Sequence, residues 1–228
     1  LSGEGRESLQ QGFAGQVDRI IRLLNRGAAL AMAVEGLTNR GLWVISRAED
    51  SYPVRLKNRL GKAAPPLLYG AGSKGLLDTG GLAVVGSRNA DDIALEFTRY
   101  IAEKCAKEEI RLVSGGARGI DKEVLKKGGT ACGVLSDSLE REAFSGKYRS
   151  AIREGKLVLV SPYAPSAGFS AGNAMGRNKL IYALADYAMV ISSDVKGGTW
   201  SGALENLKKG YVPLIIRSSP AVREGNRK

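Results

Sequence analysis

Four short stretches of this 228-residue chain hold residue types that could bind an anion. They are Gly86-Ser87-Arg88-Asn89, Ser114-Gly115-Gly116-Ala117-Arg118-Gly119-Ile120-Asp121, Gly176-Arg177-Asn178-Lys179 and Gly197-Gly198-Thr199-Trp200-Ser201-Gly202. Glycines let backbone N–H groups approach a negative group closely, and a helix N-terminus adds partial positive charge. Arg88, Arg118, Arg177 and Lys179 supply full charges, while Ser87, Thr199 and Ser201 can donate hydroxyl protons. The chemistry implied is phosphate binding. Neither nucleotide fingerprint is present: there is no G-x-x-x-x-G-K-[ST], and Gly115–Gly119 does not space as G-x-G-x-x-G. ATP hydrolysis and dinucleotide chemistry are therefore disfavoured, and no cofactor is expected.

Each stretch taken alone has a plainer explanation. A glycine pair after a strand usually makes a tight turn, and a lone arginine there is usually a solvated rim charge. Asp121 beside Arg118 tends to pair locally. Trp200 reads as packing, with base stacking as the alternative. Four such stretches on one edge of one sheet outweigh the plainer readings.

Composition narrows the classes further. The chain has no histidine, which removes Ser-His-Asp and Cys-His catalysis and the commonest general base. Its two cysteines, Cys105 and Cys132, sit in apolar patterns and read as reduced core thiols of a cytoplasmic protein. Lys plus Arg number 34 against 23 acids, a net +11, which favours a polyanion, nucleic acid before an anionic membrane. No apolar run is long enough to cross a bilayer, and the start carries no signal-peptide pattern.

Elements must bring the four stretches together. Residues 1–41 read as a helical N-terminal extension: Phe13, Val17, Ile20, Ile21 and Leu24 form one stripe, and a second helix runs from about Ala28 to Asn39, stopping at Gly41. Residues 42–80 give two short strands, Leu42–Ile45 and Leu67–Tyr69, around a helix opened by Tyr52-Pro53. From Gly81 onward, unalternating apolar runs appear at Leu82–Val85, Leu112–Val113, Cys132–Leu135, Leu157–Val160, Ala188–Ile191 and Val212–Ile216. Such runs suit strands buried on both faces. Helical patterns separate them, the clearest being Asp91–Lys107 with Ile93, Phe97, Tyr100, Ile101 and Cys105 on one face. The expected fold is α/β, a doubly wound, mostly parallel sheet over 42–217, followed by a basic, frayed tail at 218–228. With the common 3-2-1-4-5-6 strand order, the first and fourth of the six runs flank the switch point. Arg88 and the Arg177/Lys179 pair then face each other across one crevice at the carboxyl edge.

Residues from about Tyr52 to Arg217 also resemble the DNA-processing protein A (Smf) family. The matching pieces are Tyr52-Pro53 with Leu56 and Leu60, Pro65-Pro66-Leu67-Leu68-Tyr69-Gly70, Val84-Val85-Gly86-Ser87-Arg88, Ser114 to Asp121, and Arg177-Asn178-Lys179-Leu180-Ile181. The resemblance implies an extended Rossmann-like domain that binds single-stranded DNA, helps load the RecA recombinase and forms a homodimer. It also implies that Arg88 contacts phosphate, that Arg177 and Lys179 belong to a basic cluster, and that Gly115–Gly119 forms a pocket wall. Three features depart from the family. Lys122-Glu123-Val124 follows Gly-Ile-Asp where Ala-His is usual, no winged helix follows, and residues 1–40 match no usual N-terminal domain. The motif Gly197-Gly198-Thr199 with Ser201-Gly202-Ala203 and Glu205 looks closer to the lysine-decarboxylase-like nucleotide hydrolases.

The leading expectation is a non-enzymatic single-stranded-DNA binder in DNA uptake, recombination or defence. Its binding set is Gly86, Ser87, Arg88, Asn89, Ser114, Gly115, Gly116, Arg118, Arg177, Asn178, Lys179, Gly197, Gly198, Thr199 and Ser201. The alternative is a nucleotide sensor or N-glycosidase using Glu205 or Asp121.

Overall fold

A computed structural model describes residues 16–117, 119–127, 129–219 and 222–228. The chain divides into two units, Leu1–Trp43 and Val44–Lys228. In the first, α1 (Val17–Leu24) and α2 (Gly27–Asn39) contain no buried residue. Of the expected stripe, Val17, Ile20 and Ile21 are half-buried, Leu24 is exposed, and Phe13 lies outside the described residues. Gly41, at φ +71°, ends α2: its N–H donates to Thr38 O at 2.8 Å and that of Leu42 to Leu37 O at 3.0 Å. This pairing satisfies two carbonyls that the helix end leaves open.

The second unit carries the sheet. In chain order its strands and α-helices are β1 (Trp43–Ser46), α3 (Val54–Leu60), β2 (Leu67–Ala71), β3 (Leu82–Gly86), α4 (Asp92–Lys107), β4 (Leu112–Ser114), α5 (Ile120–Lys127), β5 (Ala131–Val134), α6 (Leu139–Phe144), α7 (Arg149–Arg153), β6 (Leu157–Ser161), α8 (Ala171–Gly176), α9 (Asn178–Ala183), β7 (Tyr187–Ser192), α10 (Gly198–Lys209) and β8 (Leu214–Ile216). The eight strands lie in the order β1-β2-β6-β5-β4-β3-β7-β8. From β6 through β8 every neighbouring pair is parallel, while β2 runs antiparallel to β6. Every residue of β4, β5 and β6 is buried, as their unalternating apolar composition requires. Cys105 and Cys132 are free and buried.

Three expectations need correction. The strand order is not 3-2-1-4-5-6. The Leu157–Ser161 strand lies beyond β5, and β7 sits beside β3 instead. The reason lies upstream: β2 pairs with β6 from Tyr69↔Ser161 to Ala71↔Leu159, which keeps β6 on the flank that β1 and β2 extend. The switch point therefore falls between β3 and β7, and residues 162–186 must cross the sheet from β6 to reach β7.

The buried face of α4 is Ala94, Thr98, Ala102 and Cys105, whereas Ile93 and Tyr100 are more than half exposed. Small side chains let this helix pack closely, and Thr98 is buried at no polar cost because its Oγ1 donates to Ala94 O at 2.7 Å. Finally, the described end of the tail is not frayed. Residues 222–228 fold back, with Val222, Gly225 and Asn226 buried.

Candidate functional site

The loops leaving β3 and β4 interlock through glycine. A side chain at Gly86 would run into Ile120, the first residue of α5. Gly119, at φ +79°, adopts a backbone conformation that disfavours other residues, and a Cβ there would collide with the carbonyls of Ser87 and Arg88. Asp121, one residue into α5, is buried. Burial pushes its carboxyl up from 3.8 to about 6, against the pull of the Arg177 guanidinium and the backbone amides of Gly86 and Gly115.

Arg177 arrives from the far flank. It sits at the junction between α8 and α9, on the segment that crosses from β6 to β7. The residue is only 3% exposed, and its guanidinium lies so close over Gly115 that a Cβ there would displace it. Burial works against its charge and Asp121 supports it. Among the described residues, buried side-chain atoms without a hydrogen-bond partner include Arg177 Nε, Arg177 Nη1, Asp121 Oδ1 and Ser192 Oγ. All lie at or beyond the carboxyl ends of β3, β4 and β7. A buried guanidinium that leaves two N–H groups unused is costly unless something else accepts them.

Two clefts open beside this pair. The first, of about 340 Å³, lies at the switch point and takes its walls from Gly86-Ser87-Arg88, from Ser193 to Thr199 and from the crossing segment, with Asp121 also lining it. The second, of about 320 Å³, is walled by Gly115, Gly116, Leu135, Ser136, Asp137, Arg141 and Glu142. Arg88, Ala117, Phe169 and Arg177 line both. Arg88 is exposed and holds its guanidinium 5.2 Å from the Phe169 ring centroid, and that ring is itself 61% exposed. The pair forms a cation–π partition between the clefts, with aromatic surface facing solvent.

Of the residues singled out by sequence, Gly86, Ser87, Arg88, Arg177, Asn178, Gly197, Gly198 and Thr199 line the first cleft. Gly115 and Gly116 line the second. Asn89, Ser114, Lys179 and Ser201 line neither. Ser114 is fully buried and its Oγ donates to Val84 O at 2.6 Å, tying β4 to β3. Of the Arg177/Lys179 pair expected to face Arg88 across one crevice, Arg177 lines the first cleft with Arg88 and Lys179 does not, since positions two apart in helical backbone point about 200° apart. The same offset separates Thr199 from Ser201 on α10. Arg118 lies outside the described residues. Glu205 accepts from the Tyr211 hydroxyl at 3.2 Å and lines neither cleft. Sequence reasoning missed Phe169, Asp194 and Lys196. An aromatic residue inside the glycine- and serine-rich loop after β6 was the available signal for the first.

A family model described as DNA recombination-mediator protein A matches residues 43–218. The chain is 28% identical over 174 residues to Protein Smf of Synechocystis, covering 71% of this chain and 43% of that protein. It is 24% identical over 186 residues to DNA processing protein DprA of Bacillus subtilis, covering 79% of this chain and 62% of that one. The chain thus spans between two fifths and two thirds of the length of these relatives. The solved structure of DNA processing protein A from Helicobacter pylori superposes with a TM-score of 0.65 at 24% identity, over 82% of this chain and 85% of that one. That protein is described as having a unique mode of binding single-stranded DNA.

Proposed function

We propose that this chain, which belongs to the DNA recombination-mediator protein A family, binds single-stranded DNA at the carboxyl edge of its sheet in the service of DNA processing. The observation that carries this reading is the buried Arg177 guanidinium, whose Nε and Nη1 have no partner at the floor of a cleft. A phosphate oxygen accepts a charge-assisted hydrogen bond from either group, the two pointing to opposite sides of the guanidinium. At the cleft mouth, Arg88 offers charge to a neighbouring phosphate, and the exposed Phe169 ring offers a stacking face to a base. The single-strand binding described for the Helicobacter pylori protein supports the same reading.

A second reading, a free nucleotide in the first cleft, draws on Asp121, a carboxyl raised to about 6 in a cavity of small-ligand size. Glu205, the other carboxylate that the sequence offers for such chemistry, lines neither cleft.

The test is a titration of a labelled oligothymidylate across salt concentrations, beside a turnover assay with free nucleotides. For about four phosphate contacts, log K against log salt falls with a slope near ~−3. Arg88→Ala weakens binding roughly tenfold with no change in melting temperature, since the residue is exposed. Affinity that ignores salt overturns the proposal, and nucleotide turnover lost in Asp121→Asn favours the second reading.

A further inference from the structure

The C-terminal segment is seated by specific contacts rather than by chance packing. Asn226 is buried against the end of β7, where its Oδ1 accepts from Ser193 N–H at 2.7 Å. Its Nδ2 lies 3.1–3.4 Å from the carbonyl oxygens of Val190, Ile191 and Arg217. One position earlier, Gly225 approaches the carbonyls of Ser193 and Asp194 so closely that a Cβ would meet both at 2.5 Å. A segment joined this way to backbone carbonyls has one register.

From that seat Arg223 reaches the loops leaving β3 and β7. Its Nη1 donates to Asp194 Oδ2 at 2.7 Å and to Ser87 Oγ at 3.3 Å, and its Nη2 donates to Asn89 O. Ser87 and Asp194 both line the first cleft, one on the loop leaving β3 and the other on the loop leaving β7. A single guanidinium from the tail therefore joins the two loops. It also answers the carboxylate of Asp194, an acid on the wall of a cleft otherwise supplied with Arg88, Arg177 and Lys196.

We propose that the tail is a working part of the cleft. Arg223 is a positioning residue that cancels the Asp194 charge and so leaves the crevice receptive to an anion; with the tail unseated, Asp194 stands uncancelled and repels it. The inference rests on the reading of the first cleft as a phosphate site. Both side chains are partly exposed, 27% for Arg223 and 52% for Asp194, so the ion pair contributes little to folding stability. Its effect falls on the field inside the cleft, where one uncancelled charge near a phosphate changes affinity severalfold even under solvent screening.

A double-mutant cycle tests this, with oligothymidylate as one probe and inorganic phosphate, read by the NMR signal of Arg177 Nε–H, as the other. Arg223→Ala is expected to weaken both by roughly three- to tenfold with an unchanged melting temperature. Asp194→Asn binds as tightly as the wild type or up to about threefold tighter, and Arg223→Ala with Asp194→Asn returns close to wild-type affinity. Arg223→Lys, which keeps the charge, loses less than Arg223→Ala. Failure of the double variant to recover, or a loss of affinity that tracks a loss of melting temperature, overturns the inference and leaves the cleft reading intact. Wild-type protein that binds neither probe overturns the cleft reading and this inference with it.

Discussion

The sheet buries an arginine at each edge, and the two are treated differently. Arg111 precedes β4 at the amino edge and is 4% exposed; Arg177 lies beyond the carboxyl edge and is 3% exposed. Each has its charge opposed by burial. Arg111 nevertheless spends its donors on backbone carbonyls: Nε on Gly80 O at 2.6 Å, Nη2 on Leu184 O at 2.9 Å and Nη1 on Leu76 O. Arg177 leaves Nε and Nη1 without partners. Burial alone therefore does not identify a working charge. Under the proposed function the donors left over do: Arg111 is placed where backbone carbonyls use its donors, and Arg177 keeps two in reserve for a phosphate.

The largest effect expected from this contrast is on stability at the amino edge. Arg111→Met strips three carbonyls of their donor, the two buried ones on the loops that start β3 and β7 and a part-buried one at Leu76. Unsatisfied buried acceptors cost about 1–3 kcal/mol each, partly relieved by water, so a loss of about 3–5 kcal/mol in urea unfolding is expected. Oligonucleotide affinity of the folded fraction stays at the wild-type value. A loss below about 1 kcal/mol would show that the carbonyls find water easily and that full satisfaction marks nothing.

Next comes Asp121, the carboxyl that shares the floor with Arg177. Its folded pKa of about 6 lies above the ordinary value, so between about pH 4 and about pH 6 the folded state holds a proton that the unfolded state has released. The contribution of Asp121 is therefore most favourable in acid and is lost as pH rises through that window. The displacement corresponds to about 3 kcal/mol. Asp121→Asn removes it: the variant gains stability over wild type as pH rises and converges with it in acid. Chemical denaturation across that range checks the sign, and a variant that is less stable at neutral pH refutes the account.

How much of this contrast was legible in the sequence differs by edge. The loops at the carboxyl edge announced themselves through Gly86-Ser87-Arg88 and Gly197-Gly198-Thr199, because close backbone approach and helix starts leave glycines and hydroxyls in fixed places. The parallel strands were equally legible, since burial on both faces removes alternation from runs such as Leu157–Val160. What failed was global. Strand order depends on the pairing of β2 with β6, and no local pattern carries it. The tail read as frayed because its polarity is spent on the carbonyls of a distant strand, with Asn226 buried. Arg111 gave no signal at all: one arginine between Ile110 and Leu112 looks like a solvated charge until three carbonyls from two connections close around it. Likewise Arg177 was legible as a cation but not as a buried one, because it arrives from the far flank to lie over Gly115, and no local pattern shows that.

Arg177→Met sharpens the contrast from the binding side. Oligonucleotide affinity is expected to fall by about 2–3 kcal/mol, the usual contribution of charge-assisted hydrogen bonds. Stability is expected to stay within about 1 kcal/mol of wild type, since an apolar side chain of similar length replaces a charge whose N–H groups were unsatisfied, and Asp121 can accept a proton in compensation. Side-by-side unfolding and binding curves decide it. If Arg177→Met unfolds as easily as Arg111→Met while binding is untouched, the two arginines play one role and the contrast collapses.

The smallest effect belongs to Asp186, the amino-edge counterpart of Asp121. Its Oδ2 accepts from Gly81 N–H at 2.8 Å and its Oδ1 from Arg55 Nη1 at 2.6 Å, with Arg59 3.9 Å away. Burial pushes its carboxyl up, but the Gly81 amide and the Arg55 guanidinium outweigh that push and hold it below the ordinary carboxylate range. The sign is opposite to that of Asp121. A depressed folded pKa contributes stability that is present above the unfolded value and is lost as pH falls through the folded one. The side chain is 42% exposed, so solvent screening limits Asp186→Asn to a loss of about 0.5–1 kcal/mol near neutral pH. That loss should shrink in acid, below the ordinary carboxylate range, where wild-type Asp186 also takes up a proton. Asparagine keeps an acceptor for Gly81 N–H, so the sheet start is not disrupted and oligonucleotide binding is unchanged. Unfolding of both asparagine variants over one pH series places the two carboxyls on slopes of opposite sign. A common sign would mean that the edges do not differ in how they treat charge, and the distinction drawn from their arginines would fail with it.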